Sequence, residues 1–398
     1  MSMNETPSSG RAHIGIFGMR NAGKSSLMNA IAGQDIAVVS EVKGTTTDLV
    51  NKAMELLPAG PVLLTDTPGF DDDGVLGDKR VEKMRQALRQ TDAAVLVVDA
   101  SLGKSALDLE MEELFSKNDV RYIVAYNKCD LLGACPQPAD GEIYVSAARG
   151  ENIFALKEML ASLLSEEDEE PRLVGDLLSP SDFVVLVTPI DSAAPKGRLI
   201  LPQQQVVRDI LESDAIAVVV KEFQLKDALS GLGGKPRMVI TDSQAFAKVS
   251  ADTPADVPLT SFSILMARYK GLLDSAIEGV RALDRIEDGG SILIAEGCTH
   301  HRQCDDIGTV KLPRWIRQYT GKEPNFSFTS GGGFPDDLSP YKLVLHCGGC
   351  MLNRREMKYR ERTALAQGIP ITNYGVLIAQ AHGILERSLS VFPHLLKK

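Results

Sequence analysis

The 398-residue sequence predicts an α/β protein of three domains, each built on a parallel sheet. Three observations carry that expectation. Short β-rich runs alternate with helical stretches from Ala12 to Leu164, and such alternation gives a parallel sheet covered by helices. An acidic run, Glu166 to Glu170, then meets Pro171, where like charges and a proline end the helix and mark a linker. A second α/β alternation follows, and the last quarter carries cysteines just past two apolar runs, where α/β folds place their sites. The boundaries read as 1–171, 172–268 and 269–398.

In the first domain the strands are HIGIFG, PVLLTD, AAVLVVD, RYIVAYN and EIYVS. In the second, FVVLVTPI, AIAVVV and RMVIT read as strands, with helices in QQQVVRDILES, KEFQLKDALS and SQAFAKV. Residues 191–199, DSAAPKGRL, read as a polar surface loop. A long amphipathic helix is expected from Ile264 to Ile286. In the third domain ILIAE (292–296) runs into Cys298 and YKLVLH (341–346) runs into Cys347.

Bulk composition narrows the class. The charged fraction is 24% and the net charge −10, which argues against a nucleic-acid binder working through a broad basic face. No apolar run reaches the length that crosses a bilayer, and the N-terminus lacks the apolar core of a signal peptide, so a cytoplasmic protein with no membrane partner is expected. In such a chain six cysteines are not a disulfide framework.

Residues 18–25 read GMRNAGKS between a strand and a helix. Glycines let a backbone wrap phosphates, and amides at the helix N-terminus point inward at them. Gly18, Asn21, Ala22, Gly23 and Ser26 belong to this cradle. Lys24 is positioned to bridge the β- and γ-phosphates, and Ser25 to hold Mg²⁺. NKCD, Asn127 to Asp130, specifies the base: a carboxylate at Asp130 pairs with the ring N–H and amino group of guanine, and adenine would leave it poorly paired. Asn127 and Lys128 tie the loops together, and Ser146-Ala147 offers an amide to the guanine oxygen. DTPG supplies Asp66 for Mg²⁺ and the Gly69 amide for the γ-phosphate; in GTTTD, Thr46, with Thr45 as the alternative, completes the magnesium shell.

The pattern resembles the translation-factor-related, Era-like GTPases of bacterial ribosome assembly and tRNA modification, over residues 12–164. Phe70 stands where Ras-like enzymes carry a water-orienting glutamine, and Asn21 stands as in the members that potassium activates. The resemblance implies slow GTP hydrolysis that K⁺ accelerates and Na⁺ does not, with the cation assisting at Asn21.

The second constellation is CTH (298–300) with HCGGC (346–350). Cys298, Cys347 and Cys350 suit an iron–sulfur cluster or zinc. His300, His301 and His346 are nitrogen candidates. A CxxC redox pair and buried structural cysteines are the other readings. For a [4Fe–4S] cluster on three cysteines, the exchangeable position falls to His300, His346, Asp305, Asp306, Cys304 or water. Cys129 and Cys135 read as filler and loop thiols.

Taken together, the motifs resemble the [FeFe]-hydrogenase maturation GTPases over nearly the whole chain, the C-terminal signature being the diagnostic part. Cys298, Cys347 and Cys350 match that family's cluster cysteines, and His300 and His346 its signature histidines. The resemblance implies a scaffold and carrier for a transient di-iron precursor. It also implies radical-enzyme maturases and apo-hydrogenase as partners, and a homodimer formed through the middle domain. The alternative is an RNA-associated assembly GTPase with a zinc module.

Overall fold

The computed structural model describes residues 6–33, 50–69, 75–165, 172–189, 199–298 and 306–395. They fall into two compact units, Met1–Glu169 and Glu170–Lys398. The acidic linker candidate, most of the 191–199 loop and both threonine candidates of the magnesium shell lie outside the described residues.

The first unit is a six-stranded sheet. Its strands are β1 (Ala12–Gly18), β2 (Val50–Leu56), β3 (Gly60–Asp66), β4 (Ala93–Asp99), β5 (Arg121–Asn127) and β6 (Glu142–Tyr144), in the order β2-β3-β1-β4-β5-β6. All neighbours are parallel except β2 with β3. The alternation of β4 shows why the sheet is covered on both sides. Val95 and Val97 join Ile14, Ile16, Leu27 and Leu156 in one apolar layer. Ala94, Leu96 and Val98 join Phe17 and Phe115 in the other. A strand buried on both faces reads as a continuous apolar run, which is how AAVLVVD reads. β2 gives no such signal: VNKAMEL is an edge strand that mixes apolar and polar residues without a continuous apolar run, and it pairs through its backbone.

The second unit holds two four-stranded sheets, both wholly parallel. The first comprises β7 (Phe183–Val187), β8 (Ile216–Val220), β9 (Met238–Thr241) and β10 (Leu259–Ser261), ordered β10-β9-β7-β8. The second comprises β11 (Ser291–Glu296), β12 (Asn325–Ser330), β13 (Leu343–His346) and β14 (Ile371–Asn373), ordered β12-β11-β13-β14. One apolar core runs beneath both, joining Val185 and Ile240 to Ile292, Leu343 and Leu345 through the helices between them.

The long helix expected from Ile264 to Ile286 is not continuous. It divides into Phe262–Lys270, Leu273–Val280 and a 3₁₀ turn, Arg281–Arg285. Gly271 ends the first piece, its amide bonded to the carbonyls of Ala267 and Arg268. The break turns the next helix onto β14, so closely that a Cβ on Gly279 would sit 2.0 Å from the Ile371 carbonyl oxygen.

Candidate functional site: a nucleotide cradle and a thiol cluster

The phosphate loop leaves β1 and enters the helix Lys24–Ala32. Gly23 takes φ +93, and a Cβ there would meet Asn127 Nδ2 at 2.2 Å, so glycine is the only ordinary fit. Asn21 has φ +62, a conformation asparagine tolerates, and its side chain is exposed. Ala22 is buried, and its carbonyl accepts from Asn127 Nδ2 at 3.0 Å, which ties the phosphate loop to the end of β5. Lys24 is buried and donates to the carbonyls of Gly18 (2.9 Å) and Met19 (2.8 Å), folded over the loop it is expected to serve. Ser26 is exposed on the first turn of the helix.

Asp66 ends β3 and accepts from Ser25 Oγ at 2.5 Å. Its other oxygen, Oδ1, is buried with no hydrogen-bond partner. Burial raises the Asp66 pKa, opposed by the Ser25 bond and the Lys24 charge. A short serine–carboxylate pair with one orphaned buried oxygen has the donor set of a hard divalent cation, so Ser25 and Asp66 fit Mg²⁺. Gly69 lies against the phosphate loop, where a Cβ would come within 2.9 Å of the Arg20 amide nitrogen. Thr45, Thr46 and Phe70 lie outside the described residues.

At the base end, Ser146 Oγ donates to Asp130 Oδ1 at 2.6 Å and holds the carboxylate in place. Lys128 donates to Asp99 Oδ2 at 2.6 Å. Burial pushes Asp99 up, but the Lys128 and Ser101 hydrogen bonds outweigh it and hold its pKa below the ordinary value. One feature departs from expectation. The Ala147 amide donates to Asn127 Oδ1 at 3.0 Å, so a guanine oxygen has to share or displace that bond. Nothing in AAVLVVDA distinguishes Asp99 from an ordinary strand-end aspartate.

The three thiols lie past the ends of β11 and β13, which are adjacent and parallel, with Ala295 opposite His346. Gly297 and Gly349 donate their amides to Cys347 Sγ at 3.0 and 3.4 Å. Gly349 has φ +63, and a Cβ on it would lie 2.5 Å from Met357 Sδ, so the turn closes only with glycine there. Burial pushes Cys347 up to about 12 despite those two amides, and Cys350 and Cys298 add to the rise. Cys298 is pushed up to about 11 by burial, then by Cys350 and Glu296. Cys350 is raised by burial and pulled back by the Lys270 charge. The thiols thus share one neighbourhood, although among the described residues no three His, Cys, Asp or Glu side chains already form a closed metal-binding group. Three soft donors on two loops that need a cation to ionise together suit a thiophilic metal or cluster.

His346 takes a different face of the sheet from Cys347. Adjacent strand residues face opposite sides of a sheet, and Cys347 packs on the core under Leu343 and Leu345. His346 lies on the other side, 6.5 Å between ring centroids from Phe334. It is fully buried with both nitrogens engaged: Nε2 accepts from Arg360 Nη1 (2.9 Å) and Nδ1 pairs with the Cys347 carbonyl (2.8 Å). Since arginine only donates, Nδ1 carries the proton. Burial and the Arg360 charge lower its pKa to about 3. Arg360 also donates to Glu356 Oε1 (2.9 Å) and the Gly331 carbonyl (2.7 Å). In the sequence, Glu356 and Arg360 look like one more surface pair on a charged helix; only burial sets them apart.

Asp306 caps the turn at 307–311, its Oδ2 accepting from Thr309 N and Oγ1 at 2.8 Å each. His300, His301, Cys304 and Asp305 lie outside the described residues. Cys129 is buried and Cys135 exposed, both at the guanine-specificity loop and apart from the other four cysteines in sequence.

A β-sheet with a phosphate loop at β1, a magnesium carboxylate at the end of β3 and NKCD after β5 defines a P-loop GTPase domain that binds GTP or GDP with Mg²⁺. Residues 13–128 match the family model described as 50S ribosome-binding GTPase. Residues 173–271 match the hydrogen maturase F dimerization domain, and residues 274–391 the hydrogen maturase F tetramerization domain. The chain belongs to the hydrogen maturase F family of Era-like, hydrogenase-maturation GTPases, and it carries that family's oligomerization domains.

Among curated relatives, tRNA modification GTPase MnmE of Legionella pneumophila (strain Corby) is 32% identical over 162 residues, covering 40% of this chain and 36% of that protein. GTPase Der of Kosmotoga olearia is 39% identical over 124 residues, covering 30% and 28%. The chain thus spans about a third of the length of the curated relatives it matches. Among solved structures, Era of Aquifex aeolicus bound to GDP·AlF₄⁻ is 20% identical, covers 53% of this chain and 94% of that one, and has a TM-score of 0.33. Among the described residues no helix is long and apolar enough to cross a membrane.

Proposed function

We propose that this chain is a cytoplasmic GTP-hydrolysing scaffold that carries a [4Fe–4S] cluster on Cys298, Cys347 and Cys350 and delivers a di-iron precursor to apo-[FeFe]-hydrogenase. Radical-enzyme maturases are its other partners, and nucleic acid is not. The observation that carries the reading is the placement of three partly buried cysteines just past two adjacent parallel strand ends, in a chain whose other unit is a GTPase domain. The cluster, when bound, supplies an iron with an exchangeable ligand position. The chain's own part is to hold the thiols partly buried and aim two glycine amides at Cys347. The exchangeable position belongs to His300, Cys304, Asp305, Asp306 or water, or to His346 if it leaves Arg360.

In the GTPase domain, Lys24 balances the β- and γ-phosphate charge, and Ser25, Asp66 and Thr46 (or Thr45) hold Mg²⁺. Gly69 senses the γ-phosphate, and Asn21 holds K⁺ where charge develops. Gly18, Ala22, Gly23 and Ser26 line the phosphates; Asn127, Lys128, Asp130, Ser146 and Ala147 hold guanine. Equal hydrolysis rates in K⁺ and Na⁺ would remove the cation from this scheme.

The division into domains at 1–171, 172–268 and 269–398 is part of the proposal, with the middle domain dimerising. β8 supports that role: it is a sheet edge with Ile216 and Val219 exposed, a surface that strand pairing between copies would cover.

Anaerobic purification and reconstitution provide the test. Iron and sulfide in about fourfold ratio to protein, lost in Cys298→Ala, are expected for a [4Fe–4S] cluster. Stoichiometric zinc without sulfide overturns the cluster reading in favour of a zinc module.

A further inference from the structure

Cys129 and Cys135 lie six positions apart in the segment that follows β5, and the nucleotide scheme uses neither thiol. Cys129 stands between Lys128 and Asp130 in NKCD. It is buried, and its amide is bonded to the Val145 carbonyl at 3.1 Å. Its thiol donates to Glu151 Oε2 at 3.7 Å. Glu151 in turn exchanges two backbone hydrogen bonds with Ser146, at 3.1 Å each, and Ser146 Oγ holds Asp130. The chain then bends through residues 132–134 and brings Cys135 back, so that its thiol donates to the Cys129 carbonyl at 3.9 Å. Cys135 itself is exposed.

The two thiols differ in a way that orders a reaction between them. A dissolved oxidant reaches the exposed Cys135 first. Burial, then the Cys135 thiol beside it, then Glu151 push Cys129 up to about 12, so it keeps its proton while Cys135 reacts. A disulfide needs Cα atoms roughly 4.4–6.8 Å apart, and a loop already folded back onto the Cys129 carbonyl has little further to move.

We propose that Cys129 and Cys135 form a thiol–disulfide modification site that couples oxidation to the guanine-binding end of the cradle. A small disulfide, RSSR, is the oxidant. The Cys135 thiolate attacks one of its sulfurs, breaks the S–S bond and releases RS⁻, leaving a mixed disulfide on Cys135. Cys129 then passes its proton to Glu151 and attacks the Cys135 sulfur, forming the Cys129–Cys135 bond and expelling the second RS⁻. The two protons lost by the cysteines end on the two RS⁻ ions. Two cysteine thiols are thereby oxidised by two electrons, and RSSR is reduced to two RSH.

The new bond takes Cys129 Sγ away from Glu151 and ties it to an exposed loop. The backbone of Lys128 and Asp130 moves with it, and the Glu151–Ser146 pairing that sets Asp130 loses its contact with residue 129. Guanine affinity therefore falls on oxidation, and by linkage bound nucleotide disfavours the disulfide. In a reducing compartment such a bond is transient, which suits a switch and not a staple. The inference rests on the GTPase domain alone and stands apart from the cluster reading.

Full-length wild-type and Cys135→Ser protein are equilibrated anaerobically with oxidised glutathione and then with reduced glutathione. Both carry the C-terminal cysteines, so a difference between them belongs to Cys135. Non-reducing peptide mapping by mass spectrometry reads the linkage, and displacement of a fluorescent guanine nucleotide reads the affinity. When reduced, the two proteins are expected to bind GDP alike. Oxidised wild type is expected to yield a peptide linked through Cys129 and Cys135 and to bind GDP about tenfold more weakly, until reduced glutathione restores it. GDP present during oxidation is expected to lower the yield of the linked peptide, and Cys135→Ser to keep its affinity throughout. A mixed disulfide on Cys135 with no link to Cys129, a linked peptide with unchanged affinity, or an equal loss in Cys135→Ser would each overturn the proposal.

Discussion

The nucleotide cradle and the thiol cluster are organised in opposite ways. The cradle is closed by the protein's own polar pairs: Ser25 with Asp66, Asn127 with Ala22, Lys128 with Asp99, and Ser146 with Asp130. Apart from Asp66 Oδ1, these groups already have partners of complementary polarity, and a nucleotide exchanges one set of hydrogen bonds for another. The thiol cluster keeps its reactive groups neutral: burial raises all three cysteines, and each gains a charge only when a cation takes its proton's place. One site is preorganised for a ligand that comes and goes. Under the proposed function, the other takes a cargo that arrives with its own positive charge.

The largest expected effect falls on the cradle. Asp130→Ala removes the carboxylate that selects guanine and is expected to weaken GTP binding by about 10⁴-fold. Displacement of a fluorescent guanine nucleotide measures it, and a loss under tenfold would mean that Asp130 does not read the base. Next comes the support beneath the thiols. Arg360→Met strands Glu356, itself 3% exposed, and is expected to destabilise the second unit by about 3–5 kcal/mol in chemical denaturation. The double variant with Glu356→Leu is expected to recover much of that loss. A single-variant cost below about 1 kcal/mol would show that this network does not anchor HCGGC.

Gly349→Ala is smaller, at about 1–3 kcal/mol, because the new methyl meets Met357 and the backbone keeps its left-handed turn. If thermal melting shows no loss, the turn rearranges more readily than its packing implies. Smallest is Cys135→Ser, an exposed thiol outside the cluster, expected within about 0.5 kcal/mol of wild type. A larger change would give the pair Cys129 and Cys135 a role that separates them from loop filler.

Most of the first unit is legible in the sequence, because a parallel strand buried on both faces leaves a continuous apolar run. Every strand named there has a counterpart among β1 and β3–β6. The four strands without a legible sequence pattern are β2, β10, β12 and β14. β2 and β12 are edges that lack a continuous apolar run, and β10 and β14 are only three residues long, so none carries a pattern long enough to read. The broken helix after Ile264 has a similar cause. Its apolar period continues across Gly271, and only the need to place a backbone against β14 turns the chain there.

By itself the sequence determined which residue types stand together in each motif, since phosphate cradling, guanine recognition and thiol donation call for particular residues at short spacing. Tertiary structure alone decided which neighbours those residues keep. His346 shares a motif with Cys347, yet the pleat of β13 sends it to the opposite face and into the grip of Arg360. Lys270 looks like the end of an ordinary amphipathic helix, yet folding buries its ammonium against Leu352. Motifs are local and survive in one dimension; burial and the face a side chain takes are set by partners distant in sequence, and those set the charge each group can bear.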